Sequence, residues 1–151
     1  MYNSLFYIWV PSIFVFIAIW RSISLFKQSK INEGLYAFTL IGLVPWSLIS
    51  AFRHMFLPGQ IIKGQNPFFE FEAGGTSLAI AIASIYTLFF PNPYQYFIIF
   101  LIYLLYLIFA ILAWLLYNKN TKLINIIRFI SIILVMVYFV QIAHKNIYTD
   151  Y

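Results

Sequence analysis

Few side chains in this sequence can do chemistry, and most of those gather in one stretch. Arg53 to Gly75 reads RHMFLPGQIIKGQNPFFEFEAGG, and it sets Arg53, His54, Lys63, Glu70 and Glu72 between two apolar runs. An imidazole titrates near neutral pH. A guanidinium grips carboxylates, and a carboxylate takes up protons or cations. Arg53, His54 and Glu72 are therefore the candidate set for binding a carboxylate or moving a proton. Arg53-His54 closes one apolar run and Glu72 opens the next, so all three side chains are expected on one membrane face. Glu70 and Glu72 are two residues apart. On a helix they point to different sides, which makes them a poor shared acid/base pair. A plainer reading stands beside this one. A cation at a helix C-terminus and an anion at a helix N-terminus each suit the helix dipole, by ~0.3–1 kcal/mol. Arg53 and Glu72 would then be caps and a surface ion pair. Arg128 lies one turn inside the last apolar run. It either snorkels to the interface or joins Glu72.

Other chemistries find little support. No nucleophile elbow, P-loop or His-Glu-x-x-His pattern is present, so no enzyme activity is expected. The chain has no cysteine. That excludes disulfides, zinc–thiolate sites and iron–sulfur clusters. His144 follows the last apolar run, on the face opposite His54, and one histidine with carboxylates is a thin ligand set. No metal and no cofactor are expected.

These residues need elements to hold them, and composition says which. The 151 residues are 64% hydrophobic and 9% charged, far from the balance of a soluble domain. So few charges cannot cover so much apolar surface, and the solvent is expected to be lipid. The net charge of +5 suits anionic headgroups. Its basic residues are scattered between apolar runs, which argues against nucleic acid.

Five apolar runs are visible, at about 5–26, 35–56, 73–90, 94–117 and 123–143. Each approaches the ~20 residues a helix needs to cross ~30 Å of hydrocarbon. Continuous runs rather than alternating strands exclude a β-barrel. The expected fold is an all-α integral membrane bundle of about five transmembrane helices, forming a single domain. Tight turns join the helices, with one longer interfacial loop at His54–Glu72. Pro45 falls mid-way through the second run, where a kink is expected. In the third run Gly75, Ala79, Ala83 and Thr87 recur every four residues. Small residues let membrane helices approach closely, so this stripe is expected to be a packing face and the third run the central helix. Loop charges nearly balance across the two faces; if the first loop dominates, the N-terminus lies outside.

One family likeness falls on the same residues. RHMFLP, then NPFF, then EAGGTSLA resembles the DUF6790 family of small integral membrane proteins. Arg53, His54, Pro58, Pro67 and Phe68 stand at the upstream positions of its pattern. Glu72, Gly74, Leu78 and Ala79 stand at the downstream ones, and Ser77 takes the place of an asparagine. The likeness covers roughly residues 50 to 85. One extra residue lies between Pro67 and Glu72, and the family's later Gly-His and Asn-Gly-rich segments are absent. The resemblance implies a multi-span bundle and supplies no reaction.

Two functions follow as expectations. The first is a non-catalytic packing or accessory subunit in a cell inner membrane or an organellar membrane. Its partners would be the lipid bilayer and either a second copy or another membrane protein. The second is a small-solute or proton-coupled carrier or binder using Arg53, His54 and Glu72.

Overall fold

The computed structural model describes residues 4–57, 67–117 and 123–149. Every element within them is helical: α1 (Ser4–Phe26), α2 (Ile31–Phe56), α3 (Pro67–Phe89), α4 (Pro93–Tyr117) and α5 (Leu123–Thr149). The all-α architecture follows from the apolar runs, because lipid offers no partner to a free backbone group. The helices α2 to α5 each contain a segment long and apolar enough to cross a membrane. The apolar stretch of α1 with described side chains, Val10–Phe26, is shorter. The expected interfacial loop lies, from Pro58 to Asn66, outside the described residues, as does the turn Asn118–Lys122. The chain divides into two compact units, Met1–Pro91 and Asn92–Tyr151.

In the first unit, α1 ends in a left-handed turn. Ser29 has φ 60°. The Lys30 N–H donates to the Leu25 carbonyl and the Ser29 N–H to the Phe26 carbonyl, both at 3.0 Å. This is the double closure that satisfies a helix's last carbonyls, here with serine where glycine is usual. The reversal lets α2 begin at Ile31, earlier than the expected residue 35, because Lys30 and Glu33 add a polar first turn with a 3.6 Å ion pair. Small residues then bring α1 and α2 together. Gly34 lies against the Phe26 ring, and Gly42 against Ala18. The buried Ser22 hydroxyl donates to the Gly34 carbonyl at 2.8 Å.

α2 is not uniform. Ile31–Phe38 and Val44–Phe56 are α-helical, and Thr39–Leu43 is a π turn. The Val44 N–H donates to the Thr39 carbonyl, five residues back. Pro45 explains the position. It has no N–H, and its ring would press on the carbonyl of Ile41, four residues earlier. A widened turn relieves that contact, so the interruption expected at Pro45 sits in the five residues up to Leu43. Beyond the turn, Ser47 and Ala51 are buried.

α3 begins at Pro67, ahead of the expected residue 73. Proline suits a first helical position because its missing N–H would have had no partner there. The buried stripe of α3 is Glu70, Gly74, Ser77, Ile80, Ala81, Ser84 and Thr87. The expected stripe differs. Ala79 and Ala83 are exposed, a side chain at Gly75 would meet nothing within 4 Å, and of the four residues only Thr87 is buried. The reason is angular. At ~100° per residue, a four-residue repeat drifts ~40° each step, so Gly75 and Thr87 stand ~120° apart. Gly74, one position earlier, faces the neighbouring helix instead.

In the second unit, Asn92 caps α4. Its Oδ1 accepts from the Tyr94 N–H at 2.9 Å, and Pro93 takes the first helical position. Tyr96, Phe100, Tyr103, Leu107 and Ile111 bury one side of α4. From α5 come Met136, Phe139, Ala143, Asn146 and Ile147. Phe100 and Phe139 meet edge to face, with centroids 6.0 Å apart. α5 continues to Thr149, past the expected end at residue 143, and the Thr149 hydroxyl donates to the Asn146 carbonyl at 3.2 Å.

Candidate functional site

The close packing of α2 on α3 builds the site. A Cβ on Gly74 would meet the side chain of Met55, its backbone nitrogen at 3.1 Å and the Ala51 carbonyl at 3.2 Å. Only glycine permits that approach of two backbones. One turn deeper, the hydroxyls of Ser50 and Ser77 meet at 3.1 Å. These contacts fix an antiparallel register, and the remaining polar residues follow from it.

On α3, Glu70 lies four residues before Gly74 and seven before Ser77, on the stripe that faces α2. It is 1% exposed. On α2, the last turn carries Arg53 and His54. His54 is half-buried, and its Nδ1 is buried with no hydrogen-bond partner among the described residues. Further along the seam, Ser47 is 1% exposed, and its hydroxyl likewise has no partner there. Ser84 and Thr87 follow on α3, both buried, with hydroxyls donating to the carbonyls of Ile80 and Ala83 at 2.7 Å and 2.9 Å. Thr39, at the π turn, donates to the Leu35 carbonyl at 2.9 Å. Each hydroxyl that back-bonds to its own helix keeps lone pairs for an acceptor role.

The first unit therefore has a polar interior and an apolar exterior. Six buried hydroxyls (Ser22, Thr39, Ser47, Ser77, Ser84 and Thr87) and Glu70 lie inside. Phe14, Phe16, Trp20, Leu40, Phe52 and Phe56 face outward. Buried polar groups in a lipid-facing body are costly unless partnered, and ionisable ones mark ion or substrate paths by default.

The sequence-derived candidates fall unevenly on this seam. Arg53 and His54 lie at its end. Glu72 is exposed, and its carbonyl accepts from the Thr76 hydroxyl at 3.0 Å. Arg128 lies within α5, but its side chain is outside the described residues. Lys63 also lies outside them. Glu70, Ser47, Ser50, Ser77 and Ser84 were missed as site residues. A signal for them exists: Glu70, Ser77 and Ser84 recur every seven residues, as do Ser47 and His54. Heptad spacing holds residues to one side of a helix packed on another.

Elsewhere, His144 is exposed in the second unit, with the rings of Phe97 and Tyr148 each 5.3 Å away. Among the described residues, no group of three or more His, Cys, Asp or Glu side chains could hold a metal ion.

No family model matches the chain, and neither a curated protein nor a solved structure matches it.

Proposed function

We propose that this chain is a small multi-span membrane carrier or binder for a small ion or polar solute, acting along the α2–α3 seam without catalysis. The observation that carries it is Glu70. A carboxyl-bearing side chain, 1% exposed, opens a membrane-spanning helix on the very stripe that packs against α2. In the last turn of α2, about one turn further in than Glu70, Arg53 supplies positive charge and His54 an imidazole. The likeness to the DUF6790 family belongs to this proposal, and so do five full spans with the N-terminus outside. The test uses purified full-length protein in mild detergent. Thermal unfolding is followed over a pH series and with added sodium, potassium or acetate, for wild type and Glu70→Gln. A shift in midpoint that vanishes in the variant supports the carrier. Identical, condition-independent midpoints refute it.

An accessory subunit is the second reading, and the open small-residue stripe, with Ala79 and Ala83 exposed and Gly75 half-buried, favours it. Gly75, Ala79 and Ala83 leave room for another helix to approach α3 closely. A cysteine placed at Ala79 would then cross-link to a second copy or a partner in membranes. A monomer that stays uncross-linked at every level of oxidant removes this reading.

A further inference from the structure

We propose that the species carried is the proton, with Glu70 as the binding group and the seam hydroxyls as its path; this rests on the carrier reading. The geometry is that of a line. Glu70, Ser77, Ser84 and Thr87 share the buried side of α3. Ser50 meets Ser77 at 3.1 Å, which sets the level of every other residue. Ser47 lies three residues from Ser50, so in antiparallel register it stands ~4.5 Å further in, between Ser77 and Ser84. Ser84 lies ~10.5 Å from Ser77, and Thr87 ~4.5 Å beyond that. From Glu70 to Thr87 the line spans ~25 Å, most of a ~30 Å hydrocarbon core. Hydroxyl, water and hydroxyl in sequence cover ~5.5 Å, two hydrogen-bond lengths. One or two waters complete each step from Ser77 to Thr87, and the ~10.5 Å from Glu70 to Ser77, flanking the Gly74 contact, takes about three.

The groups on the line are suited to this task. A hydroxyl accepts one hydrogen and donates another, so it can pass a proton on without becoming permanently charged. The Ser47 hydroxyl is buried and has no hydrogen-bond partner among the described residues. It is the link left available in mid-line, while Ser84 and Thr87 offer lone pairs. At the outer end, the Glu70 carboxylate takes a proton from water to form an O–H bond. It then returns that proton to the neighbouring water or hydroxyl, and no other bond changes. α2 is the helix packed on this side of α3 among the described residues, and its titratable groups there, Arg53 and His54, stand about one turn further in than Glu70. Glu72, two residues away on α3, is exposed and stands off the line. The seam offers neutral oxygens in single file rather than a cage of several around one point. That arrangement suits a hopping proton better than a dehydrated metal cation.

The experiment uses full-length protein reconstituted in liposomes with an internal pH-sensitive dye and a potassium diffusion potential as driving force. Wild type is expected to change internal pH several-fold faster than protein-free liposomes. Glu70→Gln should fall to the protein-free rate, Ser47→Ala should lose most of the flux, and Glu72→Gln should leave it unchanged. Dicyclohexylcarbodiimide, which adds across its C=N bond to a protonated carboxyl in an apolar setting, should label Glu70 and spare Glu72, faster at lower pH. If Glu70→Gln does not fold, Glu70→Asp, which keeps the carboxyl, and Ser47→Ala decide the matter. Proton flux that persists in folded Glu70→Gln, or undiminished in Ser47→Ala, overturns the inference. Sodium flux that depends on Glu70, without proton flux, sinks the proton while leaving the carrier standing. Absence of every flux, together with unshifted unfolding midpoints, sinks both.

Discussion

Gly74 and Gly75 are neighbours in sequence, yet the same substitution should act on them in opposite directions. At Gly74→Ala the new methyl meets Met55, including its backbone nitrogen at 3.1 Å, and the Ala51 carbonyl at 3.2 Å. Backbone atoms in two packed helices cannot swing aside, so the helices must separate. Overpacking of this kind costs about 1–3 kcal/mol. Alanine in a helix interior returns about 0.5–1 kcal/mol relative to glycine. The net loss at Gly74 is therefore about 1.2 kcal/mol at the midpoints, within a range of about 0–2.5. At Gly75→Ala the methyl meets nothing within 4 Å. Only the propensity gain remains, about 0.5–1 kcal/mol of stabilisation. With about 2–4 °C per kcal/mol for a chain of this size, the two variants should straddle wild type by several degrees. Thermal unfolding in mild detergent, followed by far-ultraviolet circular dichroism, reads this directly. Should Gly75→Ala prove as damaging as Gly74→Ala, the packed face of α3 would be the other stripe. The seam built on Gly74 and Ser77 would then fail with it.

Three further outcomes can be checked in the same assay. Ser29→Gly should stabilise the protein by about 1 kcal/mol, because φ 60° costs a residue with a Cβ and costs glycine little. Asn92→Ala removes the bond to the Tyr94 N–H and should cost about 1 kcal/mol, with Asn92→Ser recovering most of it. Gly34→Ala drives a methyl into the Phe26 ring; it should be destabilising alone and largely rescued by Phe26→Leu, a non-additive pair in a double-mutant cycle.

Hydrophobic runs announced every helix, because crossing lipid demands length and apolarity and little else. The ends were less legible. Counting apolar residues discards Asn66-Pro67 and Phe68–Glu72 as loop, since two acids interrupt the run. Those same residues hold a start signal: proline at the first helical position and an acid in the first turn. That choice of start decides the site. Once α3 begins at Pro67, Glu70 falls in register with Gly74 and Ser77, and Glu72 turns ~200° away from it. Arg53 and His54 were visible because scarce charges stand out in an apolar chain. The seam hydroxyls were not, because serine and threonine are common in membrane helices and gain meaning only from the residues opposite. The stripe of Gly75, Ala79 and Ala83 shows the same limit, as small size marks permission for close approach and not the approach itself.

The π turn in α2 has a consequence for how this chain can change over time. Counted at the usual heptad pitch from the buried Leu35, the inward positions beyond the turn would be Trp46 and Arg53. The extra residue advances the count by one, so Ser47 and, seven on, His54 take those places. Rewinding Thr39–Leu43 as ordinary α-helix, with no change of sequence, would rotate the downstream half by ~100° and set Trp46 where the mid-seam serine had been. Deleting one residue of the turn would do the reverse, leaving an unbroken helix with Ser47 and His54 still inward. In this segment a change of winding is a rotation, exchanging one lining of the helix pair for another.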